Sequence, residues 1–267
     1  MCEEMKNMKR ILNWRRWVAG VAFMAGAAAL GTYLYIDNEL TRMYGGLTKV
    51  AEHNIGHYEH DLIAISNVNV LAPASDRFVA SQTVIIRDGI IASVSDGTTI
   101  PTDAQVIDAT GMFLVPGYTE SHAHLWKSEN DLLLYLANGV TQVREMNGSE
   151  QSLLWKDEIE GGRLGPDLFV VAPQLATFGL LEGLFVGWTQ NKIMVTSEQD
   201  AIRTVGALKA AGYDAIKASS FLDLDNYLSV NVATQKHAMP LIGHIPDAIE
   251  LDELWASHRR KSRILKN

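Results

Sequence analysis

Two histidines one residue apart, His122 and His124, close the stretch GMFLVPGYTESHAHLW at residues 111–126. Side chains alternate faces along an extended strand, so both imidazoles point the same way. Neutral imidazoles on one face, with a carboxylate such as Glu120 beside them, are half of a plausible zinc site. The same spacing also suits two strand-end histidines facing solvent. What decides between these readings is whether other ligand-type residues, Lys217 in DAIKASS and His244 in PLIGH, are delivered to the same place.

The elements that must deliver them follow Pro116, where short apolar runs alternate with amphipathic stretches. GYTESHA, VTQVREM, DLFVVAPQL, DAIKASS and PLIGH read as five strands. Between them the pattern predicts a helix from an N-cap at Ser128 to Asn138, stopped by Gly139, and a second helix over Glu150–Glu160. A third opens at Ser197 and ends at Gly212, and DLDNYLSVNVATQKHA forms a fourth. Residues 173–196 read as a Gly- and aromatic-rich insertion. Strand–helix alternation implies an α/β fold with a parallel sheet and right-handed crossovers. In a parallel barrel the chemistry lies at the carboxyl ends of the strands. His122 and His124 end the first strand, Lys217 lies near the end of the fourth and His244 ends the fifth, so all four belong to one face. Arg144 and Glu145, at the end of the second strand, either face that site or pair structurally.

Upstream, residues 61–115 are β-rich, with LIAISNVNVL, QTVIIRDGIIASVS and AQVIDATGMFLV divided by turn signals at Pro73, Asp88-Gly89, Asp96-Gly97 and Pro101. A small antiparallel β-domain of about five strands, built as a sandwich, is expected there, with Asp88-Gly89 as a two-residue hairpin. Residues 37–60 read as a polar juxtamembrane linker. His53, His57 and His60 share a helical face within it, more in keeping with a solvated surface than with a metal site.

Residues 17–36 are uncharged, about the length needed to cross the hydrocarbon core, with Trp14 and Trp17 at one end and Tyr33 and Tyr35 at the other. Lys6, Lys9, Arg10, Arg15 and Arg16 precede the span in the basic segment 1–16, which places the N-terminus in the cytoplasm and the rest outside it. An uncleaved signal anchor is expected. A cleaved signal peptide, leaving a secreted protein, is the alternative, and Arg15-Arg16 also permits twin-arginine export. The net charge of −8 and the absence of a basic stripe argue against a nucleic-acid partner. Cys2 is the single cysteine, so no internal disulfide can form.

Residues 61–254 resemble the amidohydrolase superfamily, nearest its imidazolonepropionase-like and Xaa-Pro dipeptidase-like branch. FLVPGYTESHAH, GVTQVRE, YDAIKAS and GHIP echo that family's motifs in their usual order. The resemblance implies a TIM barrel behind the small β-domain, and hydrolysis of a C–N bond in a small amide, dipeptide or cyclic amide by a metal-activated hydroxide. It further implies two divalent metals, expected to be zinc, held by His122 and His124 at the first position and His244 at the second. Lys217, as a carbamate, would bridge the two.

The sequence also departs from the family. Residues 116–254 supply about five of eight barrel strands, without the sixth-strand histidine or the eighth-strand aspartate. Residues 255–267 carry five cations among their last nine positions and no apolar periodicity. One permitted back-translation of that tail, read from its third base, resembles the family's sixth-strand segment. The sequence reading therefore expects a C-terminally truncated, inactive version with a frameshifted tail, in which His258 is not a ligand. Two other classes fit less of the pattern: a membrane-tethered, non-catalytic metal- or ligand-binding fragment, and an adaptor that uses only its anchor and β-domain.

Overall fold

A 42-residue helix, α1 (Cys2–Met43), opens the chain in the computed structural model. The structure describes residues 2–52, 61–73, 76–247, 249, 250 and 252, with residues 2–13 described by their backbone alone. His53, His57, His60, His258 and the tail at 255–267 lie outside the described residues. The chain divides into two units, Met1–Val50 with Leu125–Asp131, and Ala51–His124 with Leu132–Asn267.

Within the first unit, Trp14–Met43 is long and apolar enough to cross a membrane. The helix extends seven residues beyond the expected span, into what read as linker. DNELTRM contains no Gly or Pro, and lengthening an existing helix adds one hydrogen bond per residue without a new nucleus. The end of α1 packs with residues 125–131. Lys127 Nζ donates to Thr41 Oγ1 (2.6 Å) and lies 3.3 Å from Asp37 Oδ1. The Trp126 ring stacks on Tyr44 with centroids 4.6 Å apart, and Asn130 Nδ2 donates to the Lys49 carbonyl (3.0 Å).

The second unit begins with β1 (Leu62–Leu71), β2 (Phe78–Arg87), β3 (Ile90–Ser95), β4 (Gln105–Asp108) and β5 (Phe113–Leu114). Their order is β3-β2-β1-β4, with β5 also on β1. The expected antiparallel sandwich is corrected on two counts. The described strands of this region make one sheet, and β4 and β5 run parallel to β1. Alternation identifies a strand and its buried face, but not the direction of its partner. Leu62, Ala64, Ser66 and Val68 bury the inner face of β1. Asp88 (φ 51°) and Gly89 (φ 75°) both take positive φ between β2 and β3, the backbone a tight two-residue hairpin turn requires.

Beyond Pro116 come β6 (Tyr118–Ala123), α2 (Asn130–Ala137), β7 (Val140–Glu145), α3 (Glu150–Glu160) and β8 (Asp167–Val170). They are followed by β9 (Gln174–Ala176), α4 (Leu180–Gln190), β10 (Lys192–Met194) and α5 (Glu198–Ala210). The described elements close with β11 (Ile216–Ala218), α6 (Leu224–His237) and β12 (Leu241–Gly243). Seven strands replace the five expected from the sequence. DLFVVAPQL breaks into β8 and β9 at Pro173, which has no N–H for a ladder. The 173–196 insertion contributes α4 and β10 as well.

All these pairings are parallel, in two sheets ordered β6-β7-β8 and β10-β9-β11-β12. A bridge from Val171 to Ala215 joins them, so β6, β7, β8, β11 and β12 succeed one another in chain order. Met146, Val171 and Ala215 are buried together at that junction, with Phe169 and Ile242 against them. Asp214 fastens it further: its carboxylate accepts from Lys156 Nζ (2.7 and 2.9 Å) and from the Val170 N–H (2.7 Å).

Side-chain caps set the starts of α3, α5 and α6. Ser149 and Ser152 form a reciprocal capping box on α3. Ser197 and Asp223 accept the N–H groups of Asp200 and Asn226. Ser128 does not cap α2, because its hydroxyl donates to Asp131 Oδ1 (2.8 Å), and the helix starts at Asn130 instead.

Candidate functional site

β6 delivers His122 as its penultimate residue, and His124 follows the strand. Their rings lie 5.3 Å apart at 79°, on one side of the chain as strand alternation requires. The Glu120 carboxylate accepts the backbone N–H of His122 (2.8 Å) and so fixes the strand end.

β7 places Glu145 opposite Ala123 in the parallel register. Glu145 is buried, with Oε1 accepting the Asn147 N–H (2.8 Å) and lying 3.5 Å from His124 Nδ1. Of the two residues left open by sequence, Glu145 faces His124. Arg144 turns its guanidinium over the Phe169 ring, 5.4 Å from the centroid.

Lys217 is the middle residue of β11 and only 1 % exposed. Among the described residues it has neither a hydrogen bond nor an ion pair. Burial pushes its amine below the ordinary lysine range, and the nearby Lys192 charge adds to that. The Glu145 carboxylate acts in the opposite direction. A buried amine held this way is inclined to be neutral and nucleophilic.

His244 follows β12, and its N–H donates to the Ala218 carbonyl (3.1 Å), which sets it beside Lys217. Gly243 makes this approach possible. It has φ of +117°, and a Cβ there would sit 2.4 Å from Ala218 O and 2.9 Å from Lys217 Cγ. Gly243→Ala should therefore destabilise the protein by about 2 kcal/mol or more through backbone strain and overlap. Thermal unfolding would measure it, and an unshifted midpoint would refute the tight approach.

The four residues read from sequence interact electrostatically. His122 is held below the ordinary histidine range, first by partial burial and then by Lys217, His124 and His244, with Glu120 pulling upward. Among the described residues no three His, Cys, Asp or Glu side chains converge to hold a metal ion unaided. The donor set fits a divalent ion only if the amine of Lys217, without a partner among the described residues, takes part.

Sequence reasoning missed Asn147, Asn191 and Lys192. Asn147 donates to Gln190 O (3.2 Å) and accepts from the Gln174 N–H (3.1 Å), while Asn191 Nδ2 donates to Gly148 O (3.1 Å). Those bonds tie the insertion to the turn after Glu145. The only sequence cue was the brief KIM run behind an asparagine.

No protein-family model matches the sequence. A dihydroorotase of Anaeromyxobacter sp. (strain K) is 37% identical over 65 residues, which is 24% of this chain and 15% of that protein. The solved structure of a proposed prolidase from Bifidobacterium longum superposes with a TM-score of 0.61 at 19% identity, covering 70% of this chain and 50% of that one. A bottromycin amidohydrolase gives 0.59 at 22% identity, covering 72% of this chain and 40% of that one. The match thus spans about a sixth of the curated relative and half or less of the solved structures. The 65-residue match to a dihydroorotase and the fold shared with prolidase and amidohydrolase structures together support a likeness to the amidohydrolase superfamily.

Proposed function

We propose that the whole protein is a metal-dependent hydrolase of a C–N bond in a small amide, dipeptide or cyclic amide. The observation that carries this reading is the buried side chain of Lys217, with no hydrogen bond or ion pair among the described residues, beside three histidines from two other strand ends. In a purely structural protein such a lysine is a liability, since desolvating its head group costs free energy that no contact returns.

His122 and His124 would hold one divalent ion and His244 a second, with zinc the ion suited to imidazole donors. Lys217 would bridge them after its amine adds to carbon dioxide, forming an N–C bond and releasing one proton to leave a carbamate. When bound, such ions polarise a carbonyl and lower the pKa of water. The chain's own residues prepare that chemistry. Glu145 lies 3.5 Å from Nδ1 of His124, placed to orient the ring so that Nε2 would be left for the site. Gly243 lets the strand bearing His244 close on Lys217. The five successive parallel strands would form part of a barrel wall, and α1 would be an uncleaved anchor holding the remainder outside the cytoplasm.

The test is hydrolysis by the whole, zinc-supplemented protein of a panel of N-acyl amino acids, dipeptides and cyclic amides, with a chelator arm. Turnover should vanish on chelation, return with zinc, and be lost in the His122→Ala, His124→Ala double variant. Turnover indifferent to chelation, or none on any member of the panel, would overturn the reading.

A further inference from the structure

Lys192 stands in the same row as Lys217. The register pairs Lys192 with Gln174, Leu175 with Ala218, and Lys217 with Ile242. Lys192, Gln174 and Lys217 are therefore consecutive across three parallel strands, and in-register residues of a parallel sheet project from one face. Adjacent strands lie about 4.8 Å apart, so the two lysine backbones are separated by roughly 10 Å. Both side chains extend from that face, close enough for the Lys192 charge to act on Lys217.

The surroundings of Lys192 are those of a cation awaiting an anion. Its ammonium lies 4.6 Å from the Phe221 centroid and 5.8 Å from that of Phe178, and the two rings are 5.1 Å apart. It makes no ion pair with any carboxylate among the described residues. Phe221 is half exposed, so the aromatic wall is open rather than sealed in the core. Partial desolvation lowers the Lys192 pKa, and an arriving carboxylate would favour the charged form. The strand is also held in place: Asn147 and Asn191 bond its leading edge to the turn that follows Glu145. A lysine fixed in this way serves as a positioned point charge rather than a mobile surface group.

We propose that Lys192 binds a free carboxylate on the substrate, with Phe178 and Phe221 packing against the apolar side chain next to it, so that the preferred substrates are amides of apolar or aromatic amino acids with a free carboxyl group. This rests on Lys217 marking the reaction centre. A purely structural cation–π contact would be indifferent to the charge of the ligand.

The experiment uses the whole protein with N-acetylphenylalanine and its neutral carboxamide, in the parent, Lys192→Gln and Lys192→Arg. Calorimetry measures binding of each compound, and steady-state assays measure KM and kcat. Losing one charge-assisted hydrogen bond should weaken carboxylate binding by about 10- to 100-fold in Lys192→Gln. The preference of the parent for the carboxylate over the carboxamide should collapse toward unity, and Lys192→Arg should keep most of it. The loss should fall on KM rather than kcat. A parent that does not prefer the carboxylate, or a Gln variant that loses both compounds equally, overturns the proposal. Carboxylate binding that depends on Lys192 without any hydrolysis would sustain this proposal while removing the hydrolase reading. Hydrolysis that ignores the Lys192 charge would do the reverse.

Discussion

Lys217→Met will melt at a higher temperature than the parent in metal-free, bicarbonate-free buffer, and it will hydrolyse no amide. The side chain is 1 % exposed in the centre of β11, and its amine has no hydrogen-bond partner among the described residues. Leaving such a group buried costs on the order of 1–3 kcal/mol. Methionine matches its length with an unbranched, adaptable chain and has no charge to desolvate. In a domain of 150–250 residues each kcal/mol moves the midpoint by about 2–4 °C, so a rise of several degrees is expected. Activity should fall by about 10³-fold or more, because groups that act as a unit fail together when one is removed. Stability gained at the expense of function is the signature of a residue kept for chemistry. A lower melting temperature would mean that the amine is satisfied in the fold. Retained turnover would remove Lys217 from the mechanism.

What could be read in the sequence follows from which physical signals are local. His122, His124, Lys217 and His244 could be assigned to one face because strand–helix alternation fixes where strand ends lie, whatever the intervening residues. The boundaries of α3 and α5 could be read because Glu150–Glu160 and the Ser197 cap are decided within a turn of helix. Glu145 was ambiguous for the opposite reason. VRE reads the same whether the carboxylate meets His124 or a surface cation, and only the β6–β7 register decides. β9 and β10 are three residues each, too short to carry a period, so Lys192 was hidden inside an insertion. The parallel placement of β4 and β5 was invisible because partner direction leaves no mark on a two- to four-residue strand.

The anchor should behave as an all-or-none device. A reporter fused after residue 60 should be active only beyond the cytoplasmic membrane, and removing residues 1–36 should move the protein from the membrane fraction to the soluble one. Within the helix, Trp17 and Phe23 remain 76 % exposed and Met24 72 % exposed, with nothing among the described residues of their own unit to cover them. Each large apolar side chain left in water forgoes about 1.5–3 kcal/mol, so a run of this many would gain stability from a lipid solvent. The 20 residues at 17–36, at 1.5 Å per residue, span about 30 Å, the thickness of the hydrocarbon core. Direction follows from the five basic residues ahead of the span, against Arg42 and Lys49 in the described segment behind it. Replacing Lys6, Lys9, Arg10, Arg15 and Arg16 with serine should therefore randomise or invert the reporter signal without releasing the protein from the membrane. Cytoplasmic reporter activity in the parent would defeat the proposed orientation. A parent chain found in the soluble fraction with residues 1–36 still attached would defeat the anchor itself, and a soluble mature form lacking them would instead identify a cleaved export signal.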